Sequence, residues 1–185
     1  MIHSSPQRFM LVLGLCGAIF SAMLFATSPA VWLDVPFIKQ EKDGCGAATI
    51  AMVMQYWLKQ QGRAVDSAAD AAAIQRELFS AKDHGIRAAD MEHYFQQHGF
   101  RTFAFSGKWD DFQGHLQKGR PLIVALKPSN LESSLHYVVV VGIDPAQGVV
   151  LLNDAAQRKL LKQERSTFAK QWSAVKNWTL LALPK

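Results

Sequence analysis

Gly44-Cys45-Gly46-Ala47-Ala48-Thr49-Ile50-Ala51-Met52-Val53-Met54-Gln55-Tyr56-Trp57-Leu58 is apolar on nearly every face of the helix it spells. A surface helix keeps a polar stripe, so this pattern predicts a helix running through the middle of a core. Gly62 stands where such a helix ends. Its one cysteine, Cys45, falls in the predicted first turn between two glycines. Free backbone N–H groups and the positive end of the helix dipole favour a thiolate there. The flanking glycines leave room for a substrate backbone.

Upstream, Trp32-Leu33-Asp34-Val35-Pro36-Phe37 reads as extended, because Pro36 lacks a ladder donor and biases Val35 away from helix. A loop from Gln40 to Gly44 follows. Downstream, Ser67 to Phe79 predicts a helix capped by Ser67 or Asp66, and Ala88 to His98 another closed by Gly99. Phe100 to Phe105 alternates like a strand, Trp109 to Lys118 suits a short helix, and Pro121 to Leu126 a buried strand. His136-Tyr137-Val138-Val139-Val140-Val141-Gly142-Ile143 and Gly148-Val149-Val150-Leu151-Leu152-Asn153 are β-branched runs joined by the turn-rich Asp144-Pro145-Ala146-Gln147. They predict an antiparallel hairpin. Ser166 to Trp172 adds a short helix and Trp178 to Leu183 a last strand ending against Pro184. Helices first and strands after predict an α+β fold.

The 185 residues suit one catalytic-sized domain. A net charge of +5 comes from scattered Lys and Arg without a dense run or interleaved aromatics, which argues for a solvated basic surface and against nucleic acid. Phe9 to Ala26 is apolar behind a polar start carrying Arg8, the pattern of an export signal. Residues 1–30 are therefore expected to be a signal peptide, cut near Ser28 and Ala30, or an N-terminal anchor held by residues 9–26, with the domain at 31–185. The protein is expected to be exported: periplasmic, secreted, or anchored in the inner membrane. Leu15 before Cys16 argues against a lipoprotein signal, and loss of the leader would leave Cys45 as the sole cysteine.

Thiol catalysis needs a base, a group that orients it and donors for an oxyanion. His136 opens a strand after the polar stretch Pro128 to Ser134, which puts its ring at a sheet end. Asp154 follows the next strand, so hairpin pairing brings it toward His136, while Asn153 points to the opposite face. Gln40, five residues before Cys45, is a candidate side-chain donor to the oxyanion. His3, His84, His93, His98 and His115 show no metal-ligand spacing, and no cofactor or metal is called for.

Asp34-Val35-Pro36-Phe37, Gln40, Gly44-Cys45-Gly46-Ala47-Ala48, His136-Tyr137 and Asn153-Asp154 together resemble the bacteriocin-processing (double-glycine) peptidase-like family of the papain-like cysteine peptidase superfamily. The resemblance covers Leu33 to Leu183. It implies a papain-like cysteine peptidase fold, with N-terminal helices and the nucleophile on a central helix packed on a C-terminal antiparallel sheet. It also implies a Cys45 nucleophile, a His136 base, an orienting Asp154 and an oxyanion donor in Gln40. The expected partner is a peptide or protein substrate, such as a leader peptide or another envelope polypeptide. No Gly-rich P-loop is present, so transport and ATP use do not carry over, and Ala47 stands where many stand-alone relatives have proline. Two other readings fit the same residues: a thiol transferase or amidase using the same triad, and a non-catalytic peptide-binding module. Oligomeric state is left open.

Overall fold

The computed structural model describes residues 29–128 and 135–185. The apolar run, Cys16 and most of the stretch from Pro128 to Ser134 lie outside the described residues. The chain begins with β1 (Val31–Trp32), crosses an extended segment, and enters α1 (Cys45–Gln60). From Gly46 to Met54 every residue of α1 is buried, as the all-round apolar pattern demanded. Gly62, at φ +66°, turns the chain away after it.

Two helices flank α1: α2 (Ala71–Leu78) and α3 (Ala88–Gln97). The helix expected from Ser67 to Phe79 is divided, with a 3₁₀ turn at Ser67–Ala69 and α2 after it. Its side-chain cap is neither Ser67 nor Asp66 but Asp70, whose Oδ1 accepts from the Ala73 N–H at 2.8 Å. Asp70 is the acid immediately before the α-helical turns, so its carboxylate meets their free N–H groups.

The other elements are β2 (Phe100–Ser106), α4 (Trp109–Leu116), β3 (Leu122–Leu126), β4 (His136–Asp144), β5 (Val149–Asn153), β6 (Leu161–Glu164), α5 (Arg165–Ser173) and β7 (Trp178–Pro184). Among the described residues the strands form one seven-stranded sheet ordered β2-β7-β3-β4-β5-β6, with β1 on β4 and every pairing antiparallel. The predicted hairpin is β4–β5. Pro184 does not stop β7; it pairs with Phe100, and its missing N–H costs nothing at a strand terminus.

Both faces of the sheet are covered. Tyr137, Val139 and Val141 of β4 pack with α1 and its companions, while Val138, Val140 and Ile143 pack with Phe112, Phe168 and Trp172 of α4 and α5. A bulge between Val140 and Gly142 shifts the alternation by one. Gly142 is required there: a Cβ would lie 2.7 Å from the Val31 carbonyl oxygen and 2.8 Å from Trp32 Cβ, so only glycine lets β1 pair with this part of β4.

Candidate active site

Cys45 is the first residue of α1, and among the described residues no side chain caps that helix. Its first-turn N–H groups, that of Cys45 included, therefore remain available to an incoming oxygen. The flanking glycines serve packing. A Cβ on Gly46 would lie 2.9 Å from Ile86 Cβ, and one on Gly44 would lie 3.1 Å from the Glu41 carbonyl oxygen. Both allow neighbouring loops to close against the start of α1.

His136 opens β4 and Asp154 follows the end of β5, and the register that pairs Val139 with Asn153 brings the two together. The His136 Nε2–H donates to Asp154 Oδ1 at 2.8 Å, with side-chain exposures of 17% and 4%. Nε2 is thus committed, which leaves Nδ1 for the Cys45 sulfur. Burial works against a charged ring, but the Asp154 hydrogen bond and then the Cys45 sulfur outweigh it and hold His136 up at about 9. The imidazolium persists through neutral pH.

Asp154 is held on every side. Burial would raise its carboxyl, yet the His136 ring, the Gln157 amide and the Ala156 N–H hold it below the ordinary carboxylate value. Oδ1 also accepts the Ala156 N–H at 2.9 Å, and Oδ2 accepts Gln157 Nε2 at 2.7 Å. Gln157 was not foreseen from sequence; it is an exposed glutamine in a short turn, and only its spacing of three from Asp154 hinted at such a bond.

Asn153 points the other way from Asp154, as strand alternation requires. It is fully buried; its Nδ2 donates to the Val35 carbonyl at 3.1 Å and its Oδ1 accepts the Leu160 N–H at 3.1 Å. The Gln40 N–H donates to the Ala155 carbonyl at 3.0 Å. These bonds lash the segment leading to Cys45 onto the turn that carries Asp154. On the outside, Asp34 ion-pairs with Lys159 at 2.8 Å and Lys59 at 2.9 Å, which ties the same turn to the end of α1.

The structure places Gln40 against Gly44, one residue before Cys45, and its Oε1 is buried with no hydrogen-bond partner among the described residues. Tyr137 completes the wall. Burial and then the negative charge at Cys45 push its phenol up to about 12, and its ring packs edge-on against Trp178 at 5.6 Å. No group of three or more His, Cys, Asp or Glu side chains suited to a metal occurs among the described residues. The arrangement can generate a nucleophile, hold its proton and receive an oxyanion.

Comparison with known proteins points the same way. Residues 32–180 match the Peptidase_C39 like family. In fold, the chain is similar to a double glycine motif protease from an AMS/PCAT transporter solved with its leader peptide, at 21% identity and TM-score 0.62, covering 84% of this chain and 95% of that one. It is similar to the peptidase domain of Streptococcus ComA, at 18% identity and TM-score 0.61, over 80% and 98%. A protein from Bacillus anthracis described as a C39-like peptidase aligns at 17% identity and TM-score 0.62, over 85% and 99%. No curated protein sequence matches the chain.

Proposed function

Since the chain belongs to the Peptidase_C39 like family, we propose that it is a thiol peptidase in which Cys45, His136 and Asp154 form the catalytic triad. The observation that carries this reading is the His136 imidazole, held charged between Asp154 and Cys45 at the free N-terminus of a buried helix. Cys45 Sγ attacks the peptide carbonyl carbon as a thiolate. The oxygen that becomes negative is received by the Cys45 N–H, with the Gln40 side-chain amide as second donor. His136 passes its proton to the leaving amine, the C–N bond breaks, and a thioester remains on Cys45. Water then attacks the thioester, His136 takes its proton, and the acid product departs. Asp154 keeps Nε2 protonated and the ring in place throughout.

The substrate class that best fits is a leader peptide or another extended polypeptide of the bacterial envelope. The solved double glycine motif protease supports this, since it was captured with its leader peptide. Phe9 to Ala26 supports export, as a cleaved signal or a retained anchor. The test is incubation of the full chain with peptides carrying a double-glycine junction and with controls in which both glycines are replaced, read by mass. Cleavage at one bond that disappears in Cys45→Ala supports the reading. Cleavage that survives Cys45→Ala refutes it.

A further inference from the structure

The α4–α5 side of the sheet carries a feature that the peptide chemistry does not use. A groove of about 430 Å³ runs between the start of α4 and α5, lined by Lys108, Trp109, Arg165, Lys170, Trp172 and Asn177 among others, with no carboxylate in its lining. Lys108, Arg165 and Lys170 are exposed, and none forms an ion pair among the described residues. The Arg165 guanidinium stacks on Trp109, with its carbon 4.3 Å from the ring centroid, which fixes its plane and leaves its N–H edge free.

The path of the chain says what meets this face. Val31 packs into the same layer as Phe112, Phe168 and Trp109, on the side of the sheet opposite α1. The apolar run ends at Ala26, five residues earlier. Five extended residues span roughly 17 Å at about 3.4 Å each. A bilayer that holds residues 9–26 therefore lies close to the α4–α5 layer. Trp32, 57% exposed at that point, has the amphipathic ring that suits the headgroup level.

We propose that the Lys108–Trp109–Arg165–Lys170 groove is a docking surface for anionic phospholipid headgroups, which turns the α4–α5 face to the membrane and leaves the α1 face, with Cys45, open to substrate. The phosphate meets the three cations. The surface does not depend on the peptidase reading.

The test is hydrogen exchange on the full chain in vesicles of phosphatidylcholine alone or with phosphatidylglycerol. In the anionic vesicles, residues 107–109 and 165–173 exchange more slowly, with binding tightened about five-fold for each engaged cation, and neutral vesicles give no such change. The protection disappears in Lys108→Glu/Arg165→Glu/Lys170→Glu and persists in Arg76→Glu/Lys82→Glu/Arg101→Glu, which has the same net charge. Equal protection in both vesicle types, protection in neither, or equal loss in both variants overturns the proposal. So does protection by an acidic peptide without vesicles when anionic vesicles give none. Cleavage is not read at any step, so failure here leaves the Cys45 chemistry untouched.

Discussion

Replacing Asp154 by asparagine removes a charge from the site while keeping its shape. His136 sits at about 9 instead of the ordinary 6.5, although burial pulls it down, and the Asp154 hydrogen bond leads the forces that raise it. Without that carboxylate the ring is expected to titrate about two pH units lower, worth roughly 3 kcal/mol at about 1.4 kcal/mol per unit. The folded-state value is raised, so the contribution to stability is complete below about pH 6.5 and vanishes as pH climbs through about 9. Urea unfolding of the wild type should therefore lose roughly 3 kcal/mol between pH 6 and pH 10, and Asp154→Asn should show little of that slope. The imidazole Cε1–H resonance, followed from pH 5 to pH 10 in both proteins, reads the same quantity directly. The peptidase rate should fall at least a hundred-fold once the carboxylate that orients the base is lost. A ring that still titrates near 9 in Asp154→Asn, or near 6.5 in the wild type, refutes the reasoning.

Gln40→Ala should lower kcat about a hundred-fold while leaving alkylation of Cys45 unchanged, because alkylation forms no oxyanion; equal losses in both would assign Gln40 to folding instead. Gln157→Leu strips the 2.7 Å bond from Asp154 Oδ2. It should move the Asp154 carboxyl up toward the ordinary value and lower kcat, with KM unmoved, at a cost of about 2 kcal/mol for a bond to a charged group. Asn153→Leu leaves the Val35 carbonyl and the Leu160 N–H unpartnered around a buried site. It should destabilise the fold by about 3 kcal/mol, seen as a lower urea midpoint at constant m-value.

The helix through the core and the β4–β5 hairpin were legible because each is dominated by one local pattern: apolar on all sides in α1, β-branched runs around Asp144-Pro145-Ala146-Gln147 in the hairpin. Gly62 and Gly99 announced their helix ends through the positive φ that each adopts. What escaped was non-local. β6, Leu161-Lys162-Gln163-Glu164, is a short charged edge strand whose composition suits a loop equally well, and only pairing with β5 makes it a strand. The bulge at Val141 and Gly142 lies where β1 returns to β4 from more than a hundred residues upstream. A signal for the second helical layer was present and went unused: β3 reads Leu-Ile-Val-Ala-Leu, buried at every position, which requires cover on both faces. In the candidate site, the meeting of His136 with Asp154 beside Cys45 was legible from residue type and strand order. Gln157 and the clamping role of Asn153 depend on a turn geometry that polar residues in sequence leave unspecified.

The central claim is that His136 activates Cys45. Its most direct test is the rate at which a small alkylating electrophile modifies the full chain across pH, read on the peptide containing Cys45 so that Cys16 does not interfere, in the native protein and in His136→Ala. Rapid modification of Cys45, slowed about a hundred-fold without His136, is the predicted result. Slow modification that rises only through about pH 8.5, as for a free thiol, and is identical in the two proteins would contradict it.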